Sequence, residues 1–97
     1  MELEFKNENG RLTIKVIGKL DTMTAPKLEE ELSKKIEGIN EIVFDFEELK
    51  YISSSGIRVL VGTGKRVNNN MTIVKPLDEV MEVFSITGLT RVFKIEK

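Results

Sequence analysis

The sequence predicts an α/β fold: a mixed β-sheet that begins with an antiparallel hairpin, continues with parallel strands, and carries helices packed on it. Two observations lead there. Two alternating apolar/polar runs flank an Asn-Gly turn at the start of the chain. After them, short apolar runs alternate with longer stretches of helical period, the pattern of strand–helix–strand crossovers in an α/β layer.

Each element follows from its residues. Leu3-Glu4-Phe5 alternates, Asn7-Glu8-Asn9-Gly10 turns, and Arg11 to Ile17 alternates again with Leu12, Ile14 and Val16 on one face. Gly18-Lys19-Leu20-Asp21 leads out. A helix should begin within Thr22 to Pro26, since proline is tolerated in a first helical turn where its missing N–H costs nothing. Its stripe is Ala25, Leu28, Leu32, Ile36 and Ile39, and Gly38 is a plausible stop. Glu30/Lys34 and Glu31/Lys35 are spaced as i,i+4 pairs on its wet side, so the acidic run Glu29–Glu31 reads as a solvated face and not as a metal site.

Glu41 to Phe46 is a short apolar run, which predicts a central strand covered on both faces. Glu47 to Ile52 reads as a connection. A second helix is predicted from about Ser54 to Val67, burying Ile57, Leu60, Val61, Gly64 and Val67, with Gly64 allowing close approach to the sheet. Val59, Gly62, Thr63 and Arg66 form a second line that the core does not need, either a loosely specified solvent face or a contact surface for another protein. Asn68–Asn70 is a loop and Met71 to Val74 a strand. Pro76 opens a third helix around Leu77, Val80, Met81 and Phe84, with Asp78 and Glu79 in the first turn where the dipole favours them. Thr87-Gly88 ends it, and Val92, Phe93 and Ile95 can form a last strand. The predicted order has five strands and three helices, with no internal repeat or linker.

Composition narrows the chemistry. The chain has 97 residues, 40% of them hydrophobic and 32% charged, which predicts one globular domain over 1–97 with a small core. The net charge of −1 gives no basic field for nucleic acid. No run is long enough to span a bilayer and no signal peptide is apparent, so the expected address is the cytoplasm. With neither Cys nor His, the chain cannot build a thiolate nucleophile, a Ser-His-Asp triad or a sulfur or imidazole metal site. No catalytic residue, metal or cofactor is expected.

Two motifs fail on inspection. Val61-Gly62-Thr63-Gly64-Lys65-Arg66 suggests a P-loop, but Val59 stands where the first Gly belongs and Arg66 where Ser or Thr belongs, well inside a predicted helix. Asn70-Met71-Thr72 fits a glycosylation acceptor, with no secretory signal to make it one. More informative is Ser53-Ser54-Ser55 between an apolar run and a helix. Serine favours the N-cap, and a helix N-terminus also accommodates a phosphate, bound or covalent. Asp21 and Asp45 follow strands at the same predicted edge. Taken alone they read as a loop or capping carboxylate and as a carboxylate bonded to neighbouring backbone.

At this point the residues resemble a family. Gly18-Lys19-Leu20-Asp21 with Thr24-Ala25 is similar to the lead-in to the first helix of STAS domains, the anti-anti-sigma factors. Ile42-Val43-Phe44-Asp45, then Tyr51 through Leu60, resembles their strand and phosphorylation segment, and Thr87-Gly88-Leu89 a third element. The resemblance implies a non-enzymatic antagonist that binds an anti-sigma factor serine kinase and releases a sigma factor. It also implies phosphorylation by that kinase and reversal by a PP2C-type phosphatase, with no membrane, nucleic acid or small-molecule substrate involved. In the common Asp-Ser-Ser/Thr-Gly form the acceptor follows the Asp, which here is Ser54. Ser53 occupies the Asp position and removes its charge. The partner surface would take in Asp21, Thr22, Ser53, Ser55 and Gly56 around the acceptor, and Arg58, Val59, Gly62, Thr63 and Arg66 along the second helix. A rival expectation is a STAS module regulating an assembly unconnected with sigma factors. A small nucleotide-binding or phosphotransfer enzyme is the third.

Overall fold

The computed structural model describes residues 1–97. Its elements are β1 (Glu2–Glu8), β2 (Arg11–Leu20), α1 (Ala25–Lys35), β3 (Glu41–Asp45), β4 (Leu49–Ile52), α2 (Ser54–Arg66), β5 (Met71–Val74), α3 (Asp78–Thr87), a 3₁₀ turn (Leu89–Arg91) and β6 (Lys94–Glu96). The strand order is β1-β2-β3-β5-β6, with β4 paired to β2 off that path. Only β1 and β2 are antiparallel.

The hairpin forms where the Asn-Gly pair places it. Asn9 and Gly10 have φ of 50° and 84°, the left-handed pair that a two-residue turn needs to match the strand twist. Glu8 then faces Arg11, and Phe5 faces Ile14. β2 pairs with three other strands, β1, β3 and β4. Arg11 to Lys15 pairs with β3, and Gly18 to Leu20 with β4 after a register shift at Gly18/Lys19.

β4 corrects the sequence reading, which had Glu47 to Ile52 as a connection. Only four residues long and buried at its two ends, it lacks the alternation that announces a strand. Pairing with the upper half of β2 makes it one. Burial also corrects the reading of β3 as covered on both faces. Ile42 and Phe44 are buried while Glu41, Val43 and Asp45 are half-buried, so the helices cover one face. Leu12, Ile14, Val16, Met71 and Ile73 join that face, with the rings of Phe44, Phe46 and Phe84 in tilted contact at centroid distances of 5.4 and 6.1 Å.

α1 buries Ala25, Leu28 and Leu32, with Ile36 and Ile39 beyond its end, as the spacing predicts. Lys34 pairs with Glu30 and also with Glu31, both at 3.4 Å. The expected Glu31/Lys35 pair does not form, because Lys35 lies 4.9 Å over the Phe5 ring instead.

α2 is rotated from its predicted phase. It buries Gly56, Val59, Leu60, Thr63 and Gly64, with Val67 just beyond, and leaves Ile57 and Val61 half-buried. Val59 and Thr63, each 7% exposed, therefore belong to the core and not to a second line outside it. Two glycines set this phase. A Cβ on Gly56 would lie 2.8 Å from Leu20 and Ile52, and one on Gly64 2.6 Å from the Phe93 ring. Side chains are absent where the helix comes closest to its neighbours. Thr63 tolerates burial because its hydroxyl donates to the Val59 carbonyl at 2.7 Å. The third helix begins at Asp78, two residues after Pro76, and the last strand at Lys94, once the 3₁₀ turn has buried Leu89 and Phe93 has packed into the core.

Candidate functional site

The carboxyl ends of β2 and β4 lie side by side, Leu20 opposite Ile52, and each strand turns at once into a helix. This brings the Asp21 turn and the three serines together. The ladder continues one step further, since the Ser53 N–H donates to the Leu20 carbonyl at 2.9 Å.

Ser53 is the N-cap of α2. Its backbone is extended and its Oγ accepts from the Gly56 N–H at 3.4 Å, while its carbonyl accepts the first helical bond, from Ile57, at 3.0 Å. Serine and aspartate cap about equally well. Ser53 therefore caps the helix as an Asp would, without the charge. Ser54 is the first helical residue, exposed, and its hydroxyl makes no bond within the chain. The Ser55 hydroxyl lies 3.3 Å from that of Thr22, tying the start of α2 to the turn before α1.

That turn is closed on itself. Asp21 Oδ1 accepts from the N–H groups of Met23 and Thr24, each at 3.0 Å, and the Asp21 N–H donates to Thr24 Oγ1 at 2.8 Å. Thr24 Oγ1 in turn donates to the Lys19 carbonyl at 2.8 Å and lies 3.1 Å from Asp21 Oδ1. The Thr24 backbone bond is the main reason the Asp21 carboxyl is held below its usual range; the Thr24 hydroxyl, Met23 and Lys19 add to it, against desolvation. Asp21 serves this turn first. Asp45 serves its own, accepting from the Glu47 N–H at 3.0 Å, as the bland reading of the sequence has it.

A shallow groove of about 260 Å³ runs between the starts of α1 and α2, lined by Thr22, Ala25, Pro26, Glu29, Ser55, Arg58 and Val59. Among the sequence-predicted site residues, Thr22, Ser55, Arg58 and Val59 thus share a surface, while Ser54, next to Ser55 in the chain, is exposed and does not line it. Gly62 and Arg66 are exposed further along α2, Gly56 is buried beneath the turn, and Thr63 lies inside. Sequence reasoning missed Met23, 86% exposed at the tip of the Asp21 turn, and Pro26 and Glu29 on the facing helix. The Asp-x-x-Thr spacing from Asp21 to Thr24 is the signal that would have found Met23, because such a turn points its middle residues outward. No helix of the chain is long and apolar enough to cross a membrane.

The fold is an α/β module whose candidate site lies at one edge of the sheet. The STAS domain family matches residues 2–97, and the chain belongs to that family. It is similar to the anti-sigma-B factor antagonist of Staphylococcus aureus (strain NCTC 8325 / PS 47), 33% identical over 93 residues that span 92% of this chain and 86% of that protein. Among solved structures, the anti-sigma factor antagonist SpoIIAA in its unphosphorylated form matches with a TM-score of 0.85 at 20% identity, over 99% of this chain and 89% of that one. The Bacillus cell fate determinant SpoIIAA in the phosphorylated form matches at 0.76 and 19%, over 99% and 92%. These two share the fold: the N-terminal hairpin, the parallel strands and the helices on one face.

Proposed function

We propose that the chain, acting as one unit over 1–97 in the cytoplasm, is an anti-sigma factor antagonist switched by phosphorylation of Ser54. It binds an anti-sigma factor serine kinase through the edge formed by the Asp21 turn and the start of α2, and so releases a sigma factor. The kinase phosphorylates Ser54, and a PP2C-type phosphatase reverses it. The chain itself is a binding module, with no catalytic residue and no cofactor.

The observation that carries this reading is Ser54 itself: it is the first residue of a helix capped by Ser53, and its hydroxyl is exposed and unbonded. The relatives' antagonist role supports it. Phosphorylation adds about −1.5 to −2 charges, and at a helix N-terminus these favour the helix. The switch therefore acts on the partner by repulsion and lost fit, and the fold stays intact. Incubation with ATP and the cognate kinase, followed by mass mapping, should place one phosphate on Ser54 and none on Ser54→Ala. Ser54→Asp should weaken kinase binding at an equal or higher Tm. A phosphate on Ser53 or Ser55, or a large Tm loss at unchanged affinity, would overturn the assignment.

Ser53 favours a second reading, a STAS module in an assembly without sigma factors, because it removes the acid that stands beside the acceptor in the common motif. A stable complex isolated from the native cell with no kinase in it would support that alternative.

A further inference from the structure

α2 carries a glycine that the fold does not require. Gly62 is exposed, is not among the residues with positive φ, and a Cβ placed on it meets nothing within 4 Å. Gly56 and Gly64 on the same helix are packed so closely that a Cβ would collide. In an exposed helix interior glycine is destabilising relative to alanine, and nothing inside the chain offsets that loss at Gly62.

The residues in line with it share one sign of charge. Ser54, Arg58, Gly62 and Arg66 are spaced by four and all exposed, so they form a ridge roughly 18 Å long on one side of α2. Lys65 flanks it. α2 has three cations and no acid, in a chain whose net charge is −1. α1 carries Glu29, Glu30 and Glu31, and α3 carries Asp78, Glu79 and Glu82. The ion pairs of the chain involve other cations, none of them on α2. Glu29, across the groove, lines the same space as Arg58 without pairing to it.

We infer that this ridge receives an acidic segment of the anti-sigma factor, whose backbone closes on α2 at Gly62. The inference rests on the antagonist reading above and adds the chemistry of the partner and its point of closest approach. Missing bulk at Gly62 lets a second backbone come near, and Arg58 and Arg66 on either side supply the complementary charge. It also gives the switch a local cause. A phosphate on Ser54 stands one turn before Arg58 on the same line, where it competes for that guanidinium and repels an acidic partner. Three cations on a net-acidic body are a poor match for nucleic acid, whose binders rely on many phosphate contacts.

Binding of the purified chain to its cognate anti-sigma factor kinase, measured at low and high salt, tests this. Gly62→Ala should raise Tm by roughly 2–8 °C and yet weaken binding at least about tenfold, as expected when bulk enters a tightly packed contact. Arg58→Glu combined with Arg66→Glu should weaken it further and flatten its salt dependence, whereas Lys6→Glu on β1 should do neither. Unchanged affinity in Gly62→Ala, or unchanged or tighter binding in the double variant, overturns the ridge and leaves the antagonist role standing. A wild-type chain that binds no anti-sigma factor overturns that role and the ridge with it. A DNA duplex held by the wild type and released by the double variant would overturn the choice of a protein partner.

Discussion

The two strand-to-helix turns at the functional edge put similar side chains to opposite uses. Between β2 and α1, Asp21 and Thr24 direct their polar atoms into the turn, where Oδ1 takes two backbone N–H groups and Oγ1 takes a third. Between β4 and α2, Ser53 alone serves the backbone, and Ser54 keeps its hydroxyl free. The first turn is closed by its own hydrogen bonds and holds a charged carboxylate. The second has a group to offer to another molecule. Capping falls to Ser53, so the phosphate proposed for Ser54 would leave in place the bond that starts the helix.

Substitutions can break that comparison at several strengths. The largest effect is expected under the second turn, where Gly56→Ala would press a methyl against Leu20 and Ile52 and cost about 1–3 kcal/mol by overpacking, read as a lower midpoint in urea. Next comes the charge in the first turn. Because the Asp21 pKa is lowered on folding, its stabilisation is complete above the ordinary value of 3.8 and is lost as pH falls through the lower folded value. Acid titration followed by circular dichroism should show that loss in the wild type, and Asp21→Asn should lack this component. The smallest effects separate the serines. Ser53→Ala should cost about 0.5–1 kcal/mol, the low end for a cap, since its bond to Gly56 is long. Ser54→Ala should stay within about 0.5 kcal/mol of wild type, and equal losses in the two would erase the distinction.

Much of this edge was legible because its causes are local. The spacing of Ala25, Leu28 and Leu32 sets which side of α1 is buried, and Asn9-Gly10 sets the hairpin register, whatever the rest of the chain does. One polar cluster next to one periodic stretch placed a capped helix start at about Ser54, but which of the three serines caps it came only with the structure, where Ser53 does. The phase of α2 followed only in part: Leu60, Gly64 and Val67 are buried as read, but hydropathy ranks Val61 above Thr63 and gave no weight to Gly56. The helix turned instead toward the side where Gly56 and Gly64 permit contact, and the Val59 carbonyl satisfied the threonine.

By itself the sequence determined the class of fold, the hairpin, the three helices and the serine cluster, since periodicity, turn residues and caps act over a few positions. Tertiary structure alone decided that Leu49–Ile52 is a strand, that the helices leave one face of β3 open, and that the Asp21 turn touches Ser55 through Thr22. Each of these depends on partners far away in the chain: the upper half of β2 for the strand, the common core for the helices, and a pairing of Leu20 with Ile52 for the contact between the turns. Local patterns carry no record of such pairings, because the same four residues are a loop or a strand according to what lies beside them.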